Sequence, residues 1–272
     1  ELENNGVHTS EEVEPLTHYG EVRVKKESTN GFSSLGMNFT SVNRDLSYKP
    51  LKDQLVKEAY TFGLDGWTFL DKDKDYVITG AFVGSYVGGS KKAIQLVQEE
   101  PFRYYQRPDA KPFRFDSNRT SLTGGYGRVV LNKQNGNVIL NSAIGFVTPG
   151  FEYNDIGFQY WADKINGHFL LGYQWLDPGK IFRTVWLAGA HFREYDFDGN
   201  LLNSGVGFFS NFKFLNYYGF RPFFFYNFES TSKSLTRGGP LTTNPAGYSI
   251  RLSAYSDSRK DIVFNIGGNK YR

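Results

Sequence analysis

The densest chemistry in the sequence lies between residues 102 and 115. There Phe102, Tyr104, Tyr105, Phe113 and Phe115 interleave with Arg103, Arg107, Lys111 and Arg114. Flat rings beside hydrogen-bonding cations can stack on sugar rings or hold anionic glycans. Phe102, Arg103, Tyr104, Tyr105, Arg107 and Arg114 are therefore the candidate ligand contacts, against the plainer expectation of a loop folded on itself. A second group is Arg237-Gly238-Gly239-Pro240. Two glycines give backbone freedom, proline stiffens the bend, and one guanidinium is free to bind a carboxylate. Asp155 and Asp109 are its expected partners, in a pair that locks the fold. Glu152 with Asp155 is the one carboxylate pair to weigh for glycoside hydrolysis, which depends on a separation in space.

Other chemistry fails on spacing. Asp71, Asp73 and Asp75 open like a calcium loop, but Tyr76 stands at its sixth position and Phe82 at its twelfth. A charged hairpin turn is the expectation there. The histidines His8, His18, His168 and His191 share no metal-ligand spacing. His168 and His191 are expected on adjacent strands, both facing a polar interior. Gly124-Gly125-Tyr126-Gly127 runs on into Val129, Val130 and Leu131, so it continues a strand and cradles no dinucleotide. Cysteine is absent, which removes disulfides and thiolate metal sites. No catalytic residue, metal or cofactor is expected.

The elements that must position these residues are strands. Leu35, Met37 and Phe39 alternate with Ser34, Gly36 and Asn38. Tyr60, Phe62, Leu64 and Leu70 oppose Thr61, Gly63 and Asp65. Phe169, Leu171, Tyr173 and Trp175 alternate with His168, Gly172 and Gln174, and the pattern recurs at 202–212 and 248–254. Period two is the mark of a half-buried strand. About twelve such runs follow His18, after a polar loop or linker over residues 1–17. One helix is expected at Lys91–Glu99, inside the longest connection (about 90–117). Tight turns at Thr29-Asn30, Asp71–Asp75, Asn132–Asn137, Asp177–Gly179, Asn216–Gly219 and Ser256–Lys260 take turns with longer connections. An up-and-down barrel keeps that parity, short on one side of the membrane and long on the other.

Composition fits. Aromatics reach 17% and glycine 30 residues, while hydrophobic content is only 39%. Net charge is +3, from Lys+Arg 31 against Asp+Glu 28, so nothing favours nucleic acid. The crowd Tyr217, Tyr218, Phe220, Phe223, Phe224, Phe225, Tyr226 and Phe228 suits a membrane-interface girdle. The expected fold is all-β: an antiparallel up-and-down transmembrane β-barrel, with these strands as part of a larger barrel. Parity calls for a strand before His18, and the final Asn269-Lys270-Tyr271-Arg272 lacks a terminal aromatic. Further strands or another chain are expected to complete it.

Four stretches add a resemblance. They are Asn43-Arg44-Asp45, Tyr104-Tyr105-Gln106-Arg107-Pro108-Asp109, residues 148–158 (Thr148-Pro149-Gly150-Phe151-Glu152-Tyr153-Asn154-Asp155-Ile156-Gly157-Phe158), and Leu235-Thr236-Arg237-Gly238-Gly239-Pro240-Leu241. The chain resembles the C-terminal outer-membrane barrel domain, of unknown function, that follows a carbohydrate-binding-module domain of family nine type in Bacteroidota proteins. The resemblance implies an N-terminal β-sandwich as partner, which these residues do not contain, and an outer membrane of a Gram-negative bacterium. It carries no catalytic residues over. The functional expectation is non-catalytic passage or docking of a solute or glycan, with outer-membrane lipid around the wall. Two alternatives stand beside it: a soluble secreted carbohydrate-binding β protein, and a membrane-associated hydrolase with its active site in the long loops.

Overall fold

The structure, a computed structural model, describes residues 2–4, 7–9, 12–111 and 113–272. Two short strands, β1 (Leu2–Asn4) and β2 (Val7–Thr9), pair with each other inside the stretch expected as a loop. The main sheet then runs β3 (Thr17–Glu27), β4 (Ser33–Arg44), β5 (Glu58–Phe69), β6 (Tyr76–Gly88), β7 (Ser121–Lys133), β8 (Val138–Val147) and β9 (Lys164–Trp175). It continues with β10 (Phe182–Tyr195), β11 (Leu201–Phe214), β12 (Gly219–Asn227), β15 (Gly247–Tyr255) and β16 (Asn265–Tyr271). A separate hairpin, β13 (Ser230–Ser232) with β14 (Thr242–Asn244), sits in the connection after β12. The helices are α1 (Lys49–Gln54), which the sequence pattern did not announce, and α2 (Lys91–Glu99), on its expected residues.

All twelve main-sheet strands are antiparallel, and each pairs with its neighbour in chain order once the small hairpin is passed over. Hydrogen-bonded turns make this possible. In the connection 134–137 between β7 and β8, Gly136 holds φ +80°, a left-handed conformation that glycine adopts without steric cost and that helps the chain reverse. The sheet is open. Its edges are β3 and β16, which do not pair with each other. No helix among the described residues is long and apolar enough to cross a membrane, a statement about helices alone.

Register sorts the side chains onto two faces. Phe39 lies opposite Phe62, Met37 opposite Leu64, Leu64 opposite Phe82, and Leu140 opposite Leu171. Phe208 lies opposite Phe224, and Phe224 opposite Ile250. These form an apolar face, and it stays open: Leu35 is 61% exposed and Phe169 and Leu171 are each 50%. The other face pairs Asn38 with Arg23 and Gly63, Thr40 with Glu21 and Thr61, and His168 with Ala143 and Phe192. It is largely polar.

Two expectations need correcting. The 196–200 connection is shorter than the final turn, 256–264, so length does not alternate all the way along the chain. The reason is that β10 and β11 extend almost to meet at Asp196, whose carboxylate closes the turn by accepting from the Asn200 N–H at 2.8 Å. His168 and His191 also face opposite ways, because His191 stands across from Phe169 and His168 across from Phe192.

Candidate functional site: a loop cap over the polar face

The connection that carries α2 folds inward over one end of the polar face. Ser90 caps the helix, its Oγ accepting from the Ala93 N–H at 3.1 Å. Ala93 and Ile94 are buried, and Ile94 packs in a cluster with Val42, Val56, Ala59, Val87, Leu122 and Tyr105. Val42, Ala59, Val87 and Leu122 come from the polar face near its long-loop end, the one place where that face turns apolar.

Arg103 anchors the cap. Its side chain is 0% exposed. Nη1 donates to the Val97 carbonyl at 3.2 Å and to Glu100 Oε2 at 2.8 Å, and Nε to the Pro149 carbonyl at 3.3 Å. Nη2 donates to the Phe151 carbonyl and pairs with the buried Glu152 at 2.5 Å. One guanidinium thus holds the α2 connection against the connection over 148–163. The second loop can approach because two glycines face each other. A Cβ on Gly124 would collide with the Phe151 backbone, and a Cβ on Gly150 with the Thr123 carbonyl. Ser85 Oγ completes the seat by accepting from the Glu152 N–H at 3.0 Å.

The expected ligand contacts therefore divide. Arg103, Tyr105 and Arg107 are buried within the cap. Phe102 and Tyr104 are half-buried and Arg114 is exposed. Sequence could not make this division, because interleaved rings and cations carry no sign of which face is inward. Arg237 differs as well. It is exposed, and neither expected partner meets it among the described residues. Asp155 pairs with Arg44 at 2.6 Å, and Asp109 accepts from the Leu241 N–H at 2.6 Å. The motif acts instead through Gly238, at φ +96°, where a Cβ would meet Gln106 and Tyr104. So the four stretches singled out in the sequence converge. Arg44 binds Asp155 of the 148–158 stretch, Glu152 of that stretch binds Arg103, and Asp109 of the 104–109 stretch binds the backbone of Leu241.

Further ties join the remaining loops. Lys233 Nζ reaches Asp163 Oδ2 at 3.0 Å and the Ala162 and Asp163 carbonyls. Burial pushes the Lys233 ammonium below its ordinary range, and Asp163 opposes that. Asp198 lies 3.9 Å from the buried Arg107. Sequence reasoning missed Lys233 and Asp163, since only the fold brings them together. It also missed the solvent-facing trio Phe158, Tyr160 and Trp161, at 69%, 63% and 61% exposure. Their signal was legible: three aromatics within four positions of a connection lacking alternation.

Glu152 and Asp155 each end on a guanidinium, which leaves no free carboxylate pair in this loop. Asp71 closes its turn by accepting from the Asp75 and Tyr76 N–H groups. Among the described residues no group of three or more His, Asp or Glu is placed to hold a metal ion.

Burial, with the Glu152 carboxylate alongside, raises Glu100 from its usual 4.5 to about 7 despite its contact with Arg103. The folded cap thus keeps a proton that the released loop gives up. Between pH 4.5 and about 7 the released loop binds fewer protons, so the cap weakens as pH rises through that window. Protection factors over residues 91–110, with the intrinsic base catalysis of amide exchange divided out, should fall across it, and Glu100→Gln should flatten the dependence. A slope that survives Glu100→Gln would assign it to another group.

An antiparallel meander of twelve strands, one face apolar and the other capped by interlocked loops, defines the class of this protein. The chain belongs to a domain family of unknown function, DUF5916, whose model matches residues 1–271. No curated protein matches the chain, and no solved structure does.

Proposed function

We propose that this chain forms most of the wall of a transmembrane β-barrel in the outer membrane of a Gram-negative bacterium, and that it passes or docks a solute without chemical turnover. The observation that carries the reading is the open apolar face. Soluble sheets bury such a face against a second layer. Here Leu, Phe, Val and Ile stay exposed on successive strands, while the opposite face holds the polar groups and the loop cap. At about 25 cal/mol per Å² of apolar area, a face of this extent is costly in water and costs nothing in hydrocarbon.

The two unpaired edges fit the same reading. A long exposed edge invites uncontrolled pairing unless it is covered. We infer that β3 and β16 are joined by further strands, from a longer chain or from a partner. The resemblance adds a carbohydrate-binding-type sandwich and a Bacteroidota envelope as the setting. In this reading the cap is the constriction, and the polar face beneath it selects the solute.

Membrane partition of the full-length protein tests the proposal. Extraction by detergent alone, with gel mobility that shifts on boiling, is the expected result. A protein that stays in solution without detergent would sink it.

A further inference from the structure

Beneath the 148–163 loop lies a cavity of about 530 Å³, floored by the polar face of β3 to β7. We propose that it is a binding subsite for an uncharged, hydroxyl-rich ring such as a pyranose or a cyclitol. The proposal deepens the barrel reading and rests on it for the route by which a ring enters. The chemistry of the cavity stands on its own residues.

The roof and one wall are aromatic. The half-buried Tyr126 and Tyr153 line the space, and the buried Phe151 supports them, its ring centroid 5.3 Å from Tyr153 and 6.2 Å from Tyr126. Aromatic planes suit the C–H face of a saturated ring. The floor offers hydrogen bonds spaced across adjacent strands. The Thr40 and Thr61 hydroxyls lie 2.6 Å apart, so one donates to the other and the pair still has a donor and lone pairs to give. Asn38 donates one amide hydrogen to Glu21 at 3.1 Å and keeps its second. This pairing of an apolar roof with a few convergent polar groups is the usual make-up of a small-molecule site, and the volume is in the usual range.

Charge sets the class. Arg23 is already paired with Asp65 at 2.8 Å, and Asp155 with Arg44 at 2.6 Å. An anionic solute would have to break one of these pairs and would also face Glu21, so the pairs and Glu21 together set the cavity against anions. A neutral ring meets neither obstacle. The roof is held in advance, since Arg103 and Ser85 fix Phe151 and Glu152 from behind and the Tyr153 hydroxyl donates to the Phe158 carbonyl at 2.5 Å. Binding therefore orders little of the protein.

The test is calorimetric titration of the full chain, in detergent or in whatever buffer keeps it dispersed. The probes are glucose and myo-inositol, with sorbitol as the open-chain control and glucuronate and glucosamine as the charged ones. Millimolar binding of the two rings is expected, with sorbitol and glucuronate weaker by about tenfold or more. Thr61→Val and Tyr126→Leu should each weaken ring binding by about tenfold, and Tyr126→Phe should retain it. An unchanged strand signal in circular dichroism would show that each variant still folds. Absence of ring binding, equal binding of sorbitol, preference for a charged probe, or indifference to both variants would overturn the subsite. The two readings fail separately. A chain that needs no detergent yet binds the rings loses the barrel and keeps the subsite, and a detergent-requiring chain that binds neither ring does the reverse.

Discussion

Replacing Arg103 by leucine should free the α2 connection from the sheet while the twelve strands stay paired. The side chain is fully buried and joins five partners, two of them carboxylates. Removing one member of a buried ion pair leaves the other uncompensated, at a cost of about 3–5 kcal/mol. Here Glu152 would be stranded among buried neighbours, with Glu100 beside it. The expected readout is amide exchange over residues 91–110 faster by two to three orders of magnitude, at about 1.4 kcal/mol per tenfold. Exchange in β7 to β9 should hardly move. The double variant Arg103→Leu/Glu152→Leu should regain part of the loss, because it removes the stranded charge as well. If the single variant exchanges like the parent, Arg103 is not the anchor described above.

The second large effect separates neighbouring leucines. Leu171 points to the apolar face, opposite Leu140 and Gly189, and Leu170 to the polar face, opposite Asn141 and Ala190. In a bilayer, Leu171→Arg should cost about 2–4 kcal/mol, as for a charge near the lipid midplane. Leu170→Arg adds a charge to a wall that already holds His168, hydrogen-bonded to Asn141 at 2.6 Å, and should cost well under half as much. Denaturant-dependent folding into lipid vesicles measures both. Equal costs would remove the distinction between the faces on which the barrel reading depends.

The two leucines also show what could be read from the chain itself. Alternation from Phe169 to Trp175 follows from strand geometry, so faces and pairing order were accessible, and so was α2 with its apolar side. What could not be read was anything set by residues far apart in sequence. Arg103 looked like a ligand contact because nothing nearby says that the Pro149 and Phe151 carbonyls will surround it. Arg237 looked like a charge partner because its neighbours supply flexibility, yet a glycine one residue on does the contacting. Asp155 was expected to meet Arg237 and instead meets Arg44, which the register of β4 carries to the same rim. Even the parity of loop length failed only where Asp196 tightened a turn through its own side chain.

The stapling of the loops carries one more implication. The α2 connection is joined through Arg103 to 148–163, that loop through Asp163 to Lys233, and the 228–246 connection through Leu241 back to Asp109. The ties close a circuit, so no loop can swing away without straining the others. Such a lid opens as a unit or not at all. A pore governed by it would switch between two current levels, without the graded sublevels that independently flapping loops produce.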